Sequence, residues 1–225
     1  PANPVGTGPY KLDSFTPGTE LTLVPNESFW GDAPKLEQIV FRATPEVSSR
    51  VLMLETGEAD LGNDLPQEEV DRFMGGGDLQ LLQRSGLRTF WIEFNLNREI
   101  FEDVNVRRAL NHAVNKQSIV DNLFLGYATV LDSPAAPSIQ GHIAAGAYDY
   151  DPELATQMLA DAGWTPGDDG ILQKDGVPLA FTLNTAEGEY PKDIQVVEAV
   201  QADLRAIGAD VEKADLIFLI GSNPT

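Results

Sequence analysis

Thr89-Phe90-Trp91-Ile92-Glu93-Phe94-Asn95-Leu96 is the most strand-like run in the chain. Aromatic and β-branched side chains dominate it, and these favour a pleated backbone. Beyond Asp103 the apolar period changes. Val106, Leu110, Ala113 and Val114 line one helical face, and Ile119, Val120 and Leu123 continue after Lys116 until Gly126 ends the segment. A strand that hands over to helices in this way marks a boundary between two lobes near Thr89 to Asn97.

Upstream, Pro4-Val5-Gly6-Thr7-Gly8-Pro9-Tyr10 is punctuated by glycine and proline and reads as a turn. It opens onto Glu20-Leu21-Thr22-Leu23-Val24, which alternates as a strand does. Asn26 to Pro34 is a loop carrying Phe29 and Trp30. Gln38 to Ala43 is a second strand. Pro45 to Thr56 reads as a helix with Val47, Val51 and Leu54 on one face and Gly57 as its stop. Ala59-Asp60-Leu61 and Leu79 to Gln83 are short strand candidates. Between them Pro66 to Met74 reads as an acidic surface helix ending at Gly75-Gly76-Gly77.

Downstream, Ala128 to Ala147 is irregular. Asp151-Pro152 offers an N-cap followed by proline at the first helical position. That helix runs to Gly163. Ile171-Leu172-Gln173 and Pro178 to Leu183 flank Lys174-Asp175-Gly176, a hairpin signal. Pro191 to Ile207 carries an apolar stripe of Ile194, Val197, Val200, Leu204 and Ile207. Gly208 caps it before a strand begins at Ala209. The element order implies α/β architecture with mixed sheets in two partial lobes, 1–88 and 89–225.

The chain holds 35 Asp and Glu against 15 Lys and Arg, for a formal net charge of −20. Such a surface repels phosphate backbones and anionic membranes, so nucleic acid is not an expected partner. There is no cysteine, which removes disulfides, thiol catalysis and thiolate zinc. No apolar run approaches the ~20 residues that span a bilayer. Pro1-Ala2-Asn3-Pro4 lacks a basic start and an apolar segment, and it reads as an internal boundary.

Neither histidine predicts a metal site. His112 has Arg108 and Lys116 at helical spacing, and His142 lies in a loop without a nearby carboxylate. Asp60, Asp64, Glu68 and Glu69 lack the spacing of a calcium loop and read as solvated surface. No G-x-S-x-G elbow and no complete phosphate-binding glycine loop is present. Trp91 and Glu93 are the sharper pair. In a strand, residues two apart share a face. Phe90, Ile92 and Phe94 take the other face, so Trp91 and Glu93 are expected to border a cleft. An aromatic plane beside a carboxylate suits a ligand with an apolar body and a cationic end. The competing reading is an edge tryptophan packed over a neighbour, with Glu93 solvated.

Four ordered segments, followed by a fifth, resemble the type-5 extracellular solute-binding proteins. Gly6-Thr7-Gly8-Pro9-Tyr10-Lys11-Leu12, with Leu21, Asn26 and Trp30, is similar to the family's G-T-G-P-Y region. Ile39 to Asp60 is similar to its strand, helix and G-E-x-D unit. Phe94-Asn95-Leu96-Asn97 through Phe101-Glu102-Asp103 to Val106-Arg107-Arg108-Ala109-Leu110 resembles its F-N and D-x-x-V-R-x-A-L signature. Tyr150-Asp151-Pro152 through Ala162-Gly163-Trp164 resembles its Y-D-P and A-G-W unit, and Val196 to Val211 its helix and I-G-x-x-V unit.

The resemblance implies a periplasmic-binding-protein-like fold (type II, cluster C), represented here by an internal piece. It implies a binding protein and not an enzyme: a monomer that captures a peptide or similar small solute for an ABC permease. The expected location is periplasmic or extracellular, with a lipoprotein anchor in the full-length protein. No cofactor and no resident metal is implied. The implied ligand contacts are Trp91 and Glu93, with Asn63 and Asp64 after the G-E-x-D unit. The rivals are a sensor that docks on a receptor and a hydrolase on a related lobe. The family pattern is also longer than this chain around Glu212 to Ala214 and between Ser222 and Asn223, so residues are expected to be missing there.

Overall fold

A computed structural model of the chain describes residues 4–66, 68–69, 73, 79–84, 86–87, 89–185 and 192–215. The chain divides into two units, Pro1–Leu82 and Gln83–Thr225.

The first unit is built on an antiparallel sheet of Tyr10–Thr16 (β1), Glu20–Pro25 (β2) and Ile39–Arg42 (β3), in that order. Alternation identifies β2 and β3 in the sequence, but not β1. The register of β1 against β2 shifts between Leu12 and Ser14. A bulge inserts one residue and breaks the period of two, so Leu12 and Phe15 fall out of step. Asn26 explains the glycine- and proline-rich entry to β1. Its backbone N–H donates to the Pro9 carbonyl at 2.8 Å, and its side-chain amide donates to the Gly8 carbonyl at 2.9 Å.

Val47–Glu55 (α1) follows the sheet and buries Val51 and Leu54, while Val47 stays exposed. Gly57 stops it at φ 72°, a left-handed position. The expected strand at Ala59–Leu61 does not form. Ala59 N–H donates back to the Met53 carbonyl at 3.0 Å, which ties this segment to α1 instead of a sheet. Leu79 to Gln83 is likewise not strand. The acidic helix expected over Pro66 to Met74 lies largely outside the described residues.

The second unit opens with a single turn, Glu99–Phe101, then Val104–Ala113 (α2) and Lys116–Leu123 (α3). One continuous helical pattern thus becomes two helices. Asn115 interrupts it by accepting the Ser118 N–H on its own side chain, which starts a new helix. Asp103 caps α2 by accepting the Asn105 N–H at 2.8 Å. Arg107 straps the preceding turn, donating to the carbonyls of Phe101 at 2.6 Å and Glu102 at 2.9 Å.

Pro152–Asp161 (α4) begins as its sequence predicts: Asp151 accepts the Leu154 N–H at 2.8 Å. Ala109 of α2 and Ala155 of α4 are fully buried where these helices pack together. Small side chains let the backbones approach closely. Gly163, at φ 91°, ends α4 and leads Trp164 into the core.

Thr165–Pro166 (β4), Leu172–Lys174 (β5) and Val177–Pro178 (β6) form a small antiparallel sheet. Asp175 and Gly176 both have positive φ, 51° and 78°, as a type I′ hairpin requires. Ala180–Thr185 (β7) and Asp210–Asp215 (β8) pair in parallel, joined through the helix Asp193–Ala206 (α5). Val200, Leu204 and Ile207 of the expected stripe are buried, and Val197 packs against the same core. β8 passes through residues 212–214 without interruption, paired residue for residue with β7. The expected gap there is not seen. Ser222 and Asn223 lie outside the described residues.

Candidate functional site

Thr89 to Asn95 is not strand. Composition favours an extended backbone, but a ladder also needs a neighbour, and none pairs with it among the described residues. The alternation of the segment nevertheless sorts its side chains. Phe90 packs on Phe124 with ring centroids 6.2 Å apart, and Phe94 packs on Phe101 at 5.2 Å. Phe101 continues edge-on to Phe181 of β7, again at 5.2 Å. Phe90 and Phe94 thereby anchor the segment to the rest of the second unit. Ile92, expected on the same face, is exposed.

Trp91 and Glu93 meet each other. The indole Nε1–H of Trp91 donates to Glu93 Oε1 at 2.8 Å. A hydrogen bond to an ionised acceptor is among the stronger kinds. It fixes the ring beside the carboxylate, and Trp91 as a residue remains 59% exposed. A carboxylate offers about four lone-pair positions, so one indole bond leaves room for a cation. The pair presents an apolar plate with negative charge at its edge.

Asn63 and Asp64 lie in the first unit, on the loop after α1. Asn63 Nδ2 donates to Asp64 Oδ2 at 3.4 Å, and Asp64 is left-handed at φ 51°. The family resemblance alone singles out these two positions. It does not reveal Arg50, whose guanidinium donates to the Asp64 carbonyl at 3.0 Å. The two pairs belong to separate units.

The histidines serve the backbone. His112 Nδ1 lies 2.8 Å from the Asp149 carbonyl, and its ring meets Tyr148 edge-on. His142 does have a carboxylate nearby, contrary to the expectation from sequence. Asp132 Oδ1 is 3.6 Å from its Nε2, because the irregular loop folds back through an Ala145 N–H to Asp132 carbonyl bond. Among the described residues, no three His, Asp or Glu side chains gather in a way that could hold a metal. No helix among them is long and apolar enough to cross a membrane.

The sequence patterns and the folded units meet in one family. The family described as "Bacterial extracellular solute-binding proteins, family 5 Middle" matches residues 1–216. The chain belongs to this family. It is 35% identical over 214 residues to the nickel-binding periplasmic protein of Escherichia coli (strain K12), an alignment covering 92% of this chain and 41% of that protein. It is 32% identical to the oligopeptide-binding protein AppA of Bacillus subtilis (strain 168), covering 93% of this chain and 39% of the relative. The crystal structure of NikA from Brucella suis in complex with Fe(III)-EDTA superposes with a TM-score of 0.82 at 32% identity, over 94% of this chain and 43% of that one. The chain thus spans about two fifths of the length of these curated relatives.

Proposed function

We propose that the complete protein is the solute-capturing component of an ABC importer, working outside the cytoplasm and delivering its ligand to a membrane permease. It acts as a monomer, held at the membrane by a lipid anchor. No bond is made or broken. Uptake requires only that the closed form of the protein bind the solute better than the open form. Membership of the family and the relatives' binding of nickel and oligopeptides support this reading.

The observation that carries the ligand class is the Trp91–Glu93 hydrogen bond. It holds an exposed aromatic plate beside a carboxylate, which suits a peptide or similar small solute with a cationic group next to an apolar body. Asn63 and Asp64, in the first unit, are separate candidate contacts that rest on the family resemblance. The test is native mass spectrometry of the full-length protein, first as purified and then after exposure to a tripeptide pool. A small cationic solute should be retained and largely lost from E93Q. Retention unchanged in E93Q would remove Glu93 from the site.

A further inference from the structure

On α1, Arg50, Met53 and Leu54 lie three and four residues apart and share a face. The loop after α1 is fastened to that face at three places. Ala59 N–H donates to the Met53 carbonyl at 3.0 Å. Gly62 lies so close over Leu54 that a Cβ would meet Leu54 Cδ1 at 2.8 Å. Arg50 Nη2 donates to the Asp64 carbonyl at 3.0 Å, while its Nη1 donates to the carbonyls of Thr44 and Pro45, each at 2.8 Å. One guanidinium therefore spans the segment before α1 and the loop after it.

Two features go beyond ordinary packing. The carbonyl that Arg50 reaches belongs to a residue in the left-handed region, which non-glycine residues enter uncommonly. Arg50 Nε is also buried without a hydrogen-bond partner among the described residues. An unpaired buried donor costs stability, and such departures from local optimality concentrate at functional sites.

We propose that Arg50 is a positioning residue for solute binding: it fixes the Asp64 backbone and so presents the Asn63 and Asp64 side chains to the ligand. This rests on the reading of Asn63 and Asp64 as solute contacts. Lysine would not replace it, because an ammonium is a point donor, whereas the guanidinium is a rigid fork that reaches three carbonyls here.

The experiment uses the full-length protein and a tripeptide pool, with retained peptides counted by mass spectrometry and thermal midpoints recorded alongside. N63A and R50M should each reduce retention about tenfold, the size of one charged hydrogen bond. R50K should not restore it. The double variant should be no worse than R50M alone, since both changes act on one loop. Should R50M not fold, G62A pushes the same loop off Leu54 and should lower retention with Arg50 intact. A lowered midpoint with unchanged retention in R50M, R50K and G62A would overturn the role of Arg50 while leaving an effect of N63A standing. Unchanged retention in N63A, or no peptide retained by the unaltered protein, would overturn both readings.

Discussion

The carboxylate of Asp203 on α5 accepts the backbone N–H of Asn115 at 2.8 Å. Asn115 caps the start of α3, two residues after α2 ends at Ala113, so the bond ties α5 to the α2–α3 junction. Removing the acceptor leaves a partly buried N–H with no replacement. Asp203→Ala should cost about 1–3 kcal/mol, read by urea unfolding followed by circular dichroism. Asp203→Asn keeps an acceptor oxygen and should cost less. Equal losses in the two variants would show that the bond to Asn115 is not what Asp203 contributes.

Trp91→Phe separates the plate from its hydrogen bond. Phenylalanine keeps an aromatic ring but cannot donate to Glu93. Retention of cationic tripeptides by the full-length protein should fall several-fold, while stability changes by less than about 0.5 kcal/mol, as at other exposed positions. If the W91F variant retained peptides as well as the unaltered protein does, the indole N–H would have no part in placing the carboxylate.

Gly176→Ala tests the hairpin between β5 and β6. At φ 78° an added Cβ crowds the following carbonyl, at a cost of about 1–2 kcal/mol. Asp175→Asn should be nearly neutral, because asparagine also tolerates the left-handed region. Thermal unfolding of both variants checks this, and a neutral alanine would mean that the turn is not of the I′ kind.

Lys116 gives a pH signature. Its Nζ donates to the Asn111 carbonyl at 2.7 Å near the end of α2, and burial lowers its pKa from 10.5. The folded chain therefore releases this proton at lower pH than the unfolded chain does. Between the lowered value and 10.5 the unfolded state binds more protons, so stability from this group rises with pH across that window. Compared with Lys116→Met, the native protein should gain relative stability on going from neutral pH toward 10.5. A pH-independent difference between the two would contradict the assignment.

Much of the architecture is legible because it is written in local chemistry. Asp151 with Pro152 starts α4, Gly163 ends it, and Asp175-Gly176 turns a hairpin, each through bonds within a few residues. The misses are non-local or irregular. The β1 strand hides behind a bulge, and Thr89 to Asn95 has strand composition without a ladder among the described residues. Asn115 looks like one more polar residue in a helical run until its side chain turns inward to cap. The candidate site follows the same division. Alternation puts Trp91 and Glu93 side by side, whereas Arg50 reaches Asp64 across fourteen residues, and no periodicity announces that bond.

The parallel pairing of β7 with β8 bears on how the chain is made. A hairpin strand finds its partner within a few residues of leaving the ribosome. β7 cannot, because all of α5 must be synthesised before Asp210 emerges. At ordinary elongation rates that delay is on the order of seconds. Through that interval β7, which carries Phe181 and Leu183, both buried in the finished fold, has no β8 to pair with. A synonymous slow-codon cluster placed within α5 would lengthen the exposure and should raise the aggregated fraction without altering a single contact in the native protein.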